Sequence, residues 1–448
     1  MMEASKSKRK RLSVSSGRKN SMKINDDNES NSNLVVSLPN DMIHNIFTFL
    51  PIKHAISSSL VAKQFLNSWL YARNLCFDVN FEMNLSLNGR EDRISIIENI
   101  ISNYLGKKIH SFHLYVPEPM KYSPFFSKWI QLVASKGLEE LELHLAIPTN
   151  GYTYFLHSDY IDVETLRSLK LICCNLLISP QSKGFPFLKS LSLIKVQIVP
   201  ALIKWLFISC MVLESLALEG CSSFGEYTIK GSDKFRTLLI RDCEGIILVT
   251  IDNSSITTFH YDGEINKIKF VNPIKLKDVI LDFGATKGLQ HINGRDELMR
   301  AFRNVETLSI NNVLLEGLSS RFINFEYKDM EYYLPNLKEL QLVRRGPSFI
   351  NPWDIVFFIK NCSQIERLFI DLGDYAMEAG SYWNSIAKEK FENCETEFPE
   401  LKVSKVAVVK IDGRSPWQLL LMLVSKAAAV IKMDGRKAAV LLGNDSSR

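Results

Sequence analysis

The chain is short of chemistry-bearing signatures. Its 448 residues include only 8 cysteines, irregularly spaced and with no Cys-x-x-Cys pair. That excludes a disulfide framework or a zinc ribbon, and the thiols, Cys210 and Cys362 among them, read as small reduced packing residues. Glycine is sparse, at 21 residues, and none of it forms GxxxxGK[ST], GxSxG or a dinucleotide fingerprint; HExxH is missing as well. His110 and His113 fall at outward strand positions, and Asp412 and Asp434, each before Gly-Arg, are turn residues rather than a carboxylate pair. No catalytic residue, metal or cofactor is expected.

No run is long and apolar enough for a bilayer. The most apolar late segment, WQLLLMLVSKAAAVIKM, is broken by Lys426, and the first residues, MMEASKSKRKRLSVSSGRKN, lack the apolar core of a signal peptide. A chain of the nucleus or cytoplasm is expected, with no membrane partner. An excess of one charge is missing too. The formal charge is +5, from 54 basic and 49 acidic residues, but residues 1–36 hold 8 of the basic and 4 of the acidic ones. The rest is nearly neutral, which argues against nucleic acid as a partner.

What is present begins with a polar tail. Residues 1–33 carry almost no apolar side chains and are expected to be disordered. Within them Lys6, Lys8, Arg9, Lys10 and Arg11 form a run resembling a nuclear import signal. Residues 34–75 read as a compact helical module: Pro39 suits a first helical turn, Met42, Ile43, Ile46, Phe47, Phe49 and Leu50 follow at helical spacing, and Pro51 stops the run. Two further short helical patterns contain Ile52, Ile56, Leu60, Val61, Phe65, Leu66 and Trp69. So few residues enclose little core, and the surplus apolar positions are read as a docking face.

The remainder repeats itself. An apolar-x-x-apolar-x-apolar unit opens at Ile109, Leu138, Leu166, Leu188, Leu213, Phe235, Ile256, Leu276, Val305, Leu337, Ile365, Val406 and Ala428, at steps of 20 to 41 residues. Cysteine or an apolar residue recurs shortly after the unit, at Cys174, Val196, Cys221, Cys243 and Val313. This is the form of a leucine-rich repeat spanning 76–399: each strand buries alternate residues, then turns over a small inward side chain. Two return segments, FISCMVLESLAL and FIKNCSQIERLFI, place Cys and Glu alike at a helix-to-strand junction. Residues 400–440 read as strand, helix, strand, with KIDGR echoed by KMDGR, and cap the stack; 441–448 are expected to be a disordered tail.

Alternation assigns one residue per unit to the open face of the sheet: Glu142, Lys170, Ser192, Ala217, Leu239, His260, Ile280, Ser309, Gln341 and Phe369. Leu239, Ile280 and Phe369 are large and apolar, so a loop or a partner is expected to cover them. Arg241, Asp262, Asp282 and Asn311 flank them as candidate sources of polar specificity.

LPNDMIHNIFTFLP followed by LVAKQFLNSW resembles the F-box. FISCMVLESLALEGC, DKFRTLLIRDCEG, SSITTFHYDGE and the C-terminal unit are similar, in order, to the text of plant F-box, leucine-rich-repeat and FBD-type proteins. The resemblance implies an α/β fold: a three-helix F-box, a repeat solenoid shaped as a horseshoe, and an FBD-like strand-helix-strand cap. It implies a non-catalytic substrate receptor of SCF-type ubiquitin ligases, docked on a Skp-family adaptor and through it on cullin and RING subunits, with a protein substrate on the repeats. Leu38, Pro39, Ile43, Ile46, Phe49, Leu50 and Lys63 are the expected adaptor contacts. The second half of the motif departs from the pattern, with Gln64 for arginine and Phe65 for tryptophan. A repeat scaffold whose altered F-box recruits no ligase is the open alternative.

Overall fold

Proline punctuates the N-terminal module as its chemistry dictates. Pro39 caps α1 (Asn40–Thr48), and Pro51 ends that run and caps α2 (Ile52–Ser59). The expected third helix is instead two 3-10 turns, Lys63–Phe65 and Ser68–Tyr71. Asn67 and Ser68 fall in this stretch, and short polar side chains that compete for backbone hydrogen bonds disfavour a continuous α-helix.

The structure is a computed structural model. It describes residues 38–87, 92–147, 154–161, 164–263, 267–271, 275–283, 298, 300–312, 314–315, 334–343, 358, 362 and 364–371, with the backbone of strands at 408–412, 431–434 and 437–441.

After the module come β1 (Asn74–Phe77), α3 (Val79–Leu87), α4 (Arg93–Ser102), β2 (Ser111–Val116), α5 (Pro119–Ala134), β3 (Glu140–Leu145) and β4 (Tyr154–His157). They are followed by β5 (Ser168–Ile172), β6 (Cys174–Leu177), β7 (Ser190–Ile194), β8 (Gln197–Ile198), α6 (Pro200–Ser209), β9 (Ser215–Glu219), β10 (Ser222–Ile229), β11 (Thr237–Arg241) and β12 (Glu244–Ile251). The later strands are β13 (Thr258–Gly263), β14 (Ile268–Phe270), β15 (Asp278–Phe283), β16 (Thr307–Asn311), β17 (Glu339–Val343), β18 (Arg367–Asp371), β19 (Val408–Asp412), β20 (Ile431–Asp434) and β21 (Lys437–Leu441).

One sheet of 15 strands runs the length of the chain, in the order β1-β2-β3-β5-β7-β9-β11-β13-β15-β16-β17-β18-β19-β21-β20. It is parallel from β1 to β19. Each apolar unit from Ile109 to Ile365 opens on a buried residue just ahead of one of its strands, so the repeat read from the sequence is the repeat of the sheet. β1 precedes the first unit and straddles the expected division at 75/76; an isolated bridge from Pro51 to Asn74 ties the helical module to it.

The last unit, at Ala428, does not extend the parallel ladder. β21 returns antiparallel to β19, pairing Val408 with Leu441, and among the described residues β20 pairs with β21 alone. Asp434 opposes Lys437, so the return strand β21 lies between β19 and β20, and β20 takes the edge. The helix expected at 415–430 lies outside the described residues.

Step length decides what covers the other side. The 29-residue step from Ile109 to Leu138 has room for α5, whereas steps of 20 to 22 residues between Leu213 and Leu276 do not. There the return segments β10, β12 and β14 are strands, and with β8 from the preceding step they pair as a second parallel sheet in the order β14-β12-β10-β8. The chain turns from one sheet toward the other through a repeated left-handed residue. Cys173, Lys195, Gly220 and Asp242 have φ of 54, 53, 57 and 50°. The N–H groups of the first three extend the ladder: Cys173 N to Ile194 O at 2.9 Å, Lys195 N to Glu219 O at 2.7 Å and Gly220 N to Arg241 O at 2.8 Å. The side chains that follow, Cys174, Val196 and Cys221, are buried.

At the root of the stack Arg93 is buried. It ion-pairs with Glu82, donates to Phe77 O at 3.0 Å and Tyr115 O at 2.6 Å, and lies over the Phe81, Tyr115 and Tyr122 rings. One side chain thus ties together α3, α4, α5, β1 and β2.

Candidate functional site

Two surfaces stand out, and the first explains the surplus of apolar residues in α1. On a helical wheel Met42, Ile46 and Phe49 form one stripe, and Ile43, Phe47 and Leu50 a second about 100° away. The second stripe is the core side: Ile43 is 1% exposed, Phe47 is buried against Phe65 with ring centroids 5.7 Å apart, and Leu50 packs on the core. The first faces solvent, with Ile46 50% and Phe49 80% exposed. His44 stacks on Tyr71 at 3.9 Å, which fixes the rotation of α1 against the 3-10 turn and so decides which stripe is left out.

The expected docking set therefore divides. Leu38, Pro39, Ile46, Phe49 and Lys63 are at the surface; Ile43 is a core residue and Leu50 is half-buried, because the small module needs their apolar volume inside. Met42, Leu60, Val61 and Leu66 are exposed and were not in that set. Helical spacing marks all of them as apolar, and only packing tells inside from outside.

The second surface is the open face of the long sheet. The register puts Glu142, Lys170, Ser192, Ala217, Leu239, His260, Ile280, Ser309, Gln341 and Phe369 in one unbroken row, as the alternation predicts. Its chemistry changes along the stack. At the start Lys170 pairs with Glu142 at 3.0 Å, in the middle Ser192 and Ala217 leave a low shelf, and beyond it Leu239, His260 and Ile280 follow one another. Both ring nitrogens of His260 are buried without a hydrogen-bond partner among the described residues, and burial pushes its pKa down.

The flanking row is not uniform. Arg241 pairs with Glu219 at 3.5 Å, and Asp262 stands beside Asp282 in register. Asn311 is not part of the open face. It is 1% exposed; its amide donates to Phe283 O at 2.6 Å and Asp282 Oδ1 at 2.8 Å, and its Oδ1 accepts from Leu314 N at 3.0 Å. A short amide satisfies the backbone where β16 ends, which strand alternation alone does not reveal. Phe369 is half-buried.

Among the described residues no group of His, Cys, Asp and Glu could hold a metal ion, and no helix is long and apolar enough to cross a membrane.

Comparison with known proteins agrees with this geometry. The F-box domain model matches residues 36–76, and the model of the At1g61320/AtMIF1 LRR domain matches residues 100–429. The chain belongs to the F-box, leucine-rich-repeat family. Among its curated relatives, the putative FBD-associated F-box protein At1g61330 of Arabidopsis thaliana is 25% identical over 80% of this chain and 80% of its own length. The FBD-associated F-box protein At1g61320 of the same plant is 25% identical over 80% of this chain and 78% of its own length. The Arabidopsis F-box/FBD/LRR-repeat protein At1g13570 is 23% identical over 69% and 75%. In this F-box protein the exposed stripe of α1 belongs to the F-box and the row from Glu142 to Phe369 to the repeats.

Proposed function

We propose that this chain is the non-catalytic substrate-recognition subunit of an SCF-type ubiquitin ligase. The exposed stripe of the F-box, Met42, Ile46 and Phe49 with Leu38, Pro39 and Lys63 beside it, docks on a Skp-family adaptor that brings cullin and RING subunits. The observation that carries this reading is the pair of apolar stripes on α1: one completes the core, and the other has large apolar side chains in water with Phe49 80% exposed. Anchors of that kind carry most of the energy of a small interface. The open face of the repeats holds a protein substrate around Leu239, His260 and Ile280, with Arg241, Asp262, Asp282 and Phe369 at its margins.

No bond is made by the chain itself. Tethering raises the effective concentration of substrate lysines beside a charged ubiquitin-conjugating enzyme. The basic run Lys6, Lys8 to Arg11 lies outside the described residues and is proposed as the import signal. Co-purification of the full chain with a Skp-family adaptor and a cullin tests the receptor reading. Both are expected in the eluate; a folded chain that captures neither would be a repeat scaffold instead.

A further inference from the structure

The second sheet has an outer face as well as an inner one. Along β10 Ser223, Tyr227 and Ile229 are buried, while Ser222, Phe224 and Glu226 alternate with them on the outside. An exposed apolar residue recurs there at one place in four successive repeats. Leu177, Val199 and Phe224 each stand four residues after a left-handed position, Cys173, Lys195 and Gly220, and Ile247 stands five after Asp242. The register accounts for the longer step: β12 inserts one residue where Gly225 and Glu226 face Ile246 and Leu248, and that residue is Ile247. Phe224 is 79% and Ile247 60% exposed. Ser222 pairs with Gln197 and Ser223 with Ile198, which sets Phe224 beside Val199. On its other side the Phe224 ring borders Gly245, where a Cβ would come 3.4 Å from its Cδ1. The four side chains form one stripe about 14 Å long, three strand spacings.

Acid borders this stripe. Glu226 and Glu244 are exposed on the strands that carry Phe224 and Ile247, and neither is in an ion pair among the described residues. A second copy seated symmetrically here would bring like carboxylates together. A segment both basic and apolar is the complementary occupant, and the chain has one outside the described residues. All 8 basic residues of the first 36 lie between Lys6 and Lys23 with no acid among them. Leu12 and Val14 follow the run Lys8 to Arg11 at the spacing that puts both on one side of an extended segment. Its tether is long enough. From Val14 to Leu38 is 24 residues, and an unstructured polar segment of that length has a root-mean-square span of about 25 to 30 Å. The stack from β1, which is bridged to the helical module, to β9 is 5 strand spacings, or about 24 Å.

We propose that the N-terminal basic segment docks in cis on this stripe, with Leu12 and Val14 over Phe224 and Ile247 and with Lys10 and Arg11 against Glu226 and Glu244. Because it is tethered, the segment meets the stripe at an effective concentration on the order of millimolar, so weak anchors suffice. While docked, it holds the run Lys8 to Arg11 against the repeats and out of reach of an import receptor. The contact stands or falls apart from ligase recruitment, since the exposed stripe of α1 takes no part in it.

The test replaces Leu12 with the photo-crosslinking residue benzoylphenylalanine in the full chain, irradiates the purified protein and maps the attachment in tryptic peptides. One attachment is expected, on residues 222–229 or 244–251, within single chains and at a yield independent of protein concentration. The yield falls at least about 10-fold in Phe224→Ser with Ile247→Ser and in Glu226→Lys with Glu244→Lys, with unfolding midpoints unchanged. It is retained in Met211→Ser, an equally exposed apolar position ahead of β9 and off the stripe. Attachment to another surface, a product that joins two chains and grows with concentration, a yield untouched by the stripe variants, or no attachment at all would overturn the proposal.

Discussion

Arg93 and Glu82 form an ion pair at the root of the repeat stack, with the arginine buried and the glutamate only half so. The guanidinium also satisfies the carbonyls of Phe77 and Tyr115, the first on β1 and the second on β2. Where a basic side chain is enclosed by this many partners, removing it takes a charged donor from a carboxylate and from two carbonyls. Arg93→Met is expected to lower stability by about 3 kcal/mol, within the range for breaking a buried pair. Glu82→Gln added to it recovers part of the loss. Urea unfolding of the single and double variants measures both.

Asn311 makes a second prediction. Its amide serves Phe283 O and Asp282 while its oxygen serves Leu314 N, so Asn311→Ala removes three hydrogen bonds from a buried site. A loss of about 2 kcal/mol is expected. Asn311→Asp loses the two donations while keeping an acceptor for Leu314 N, and is also destabilising. Hydrogen exchange at Leu314 distinguishes them: faster in the alanine variant, still protected in the aspartate one.

The left-handed positions are strained where the residue is not glycine. Lys195 adopts φ 53° at a place where Gly220 adopts 57° in the next repeat. Lys195→Gly is expected to stabilise by about 0.5 to 1 kcal/mol, and Gly220→Ala to destabilise by about 1 kcal/mol. A Cβ at Gly220 would also come within 3.3 Å of Lys195 Cγ. Thermal unfolding midpoints should move in opposite directions.

Acid acts through Glu98. Hydrogen bonds from Lys128 and from the Trp129 indole hold its carboxyl below the usual glutamate range. A depressed folded-state pKa contributes stability that is present above the unfolded value, about 4.3, and is lost as pH falls through the folded one. Glu98→Gln is therefore expected to be less stable than the natural chain near neutrality and to show a shallower acid limb. Chemical unfolding across that range reports the difference.

Much of this architecture is legible from residues alone because strand alternation is a strict two-residue rule. The open-face row from Glu142 to Phe369 is found in the register without a slip. Other features depend on what the fold brings together. Arg93 has no motif, and its role exists only once α3, β1 and β2 enclose it. Lys195 and Cys173 are not residues that announce a left-handed turn. Ile43 and Ile46 are indistinguishable by hydropathy, and the stacking of His44 on Tyr71 settles which one faces inward. Asn311 lies at the alternation's outward position, yet the end of β16 turns it in to serve the backbone.

The affinity of the full chain for a purified Skp-family adaptor, compared with that of Ile46→Asp combined with Phe49→Asp, tests the central claim most directly. The natural chain is expected to bind, and the variant to bind at least about 100-fold more weakly with an unchanged unfolding midpoint, as two exposed anchors imply. Equal affinity in the two proteins, or no binding by the natural chain, would contradict the account.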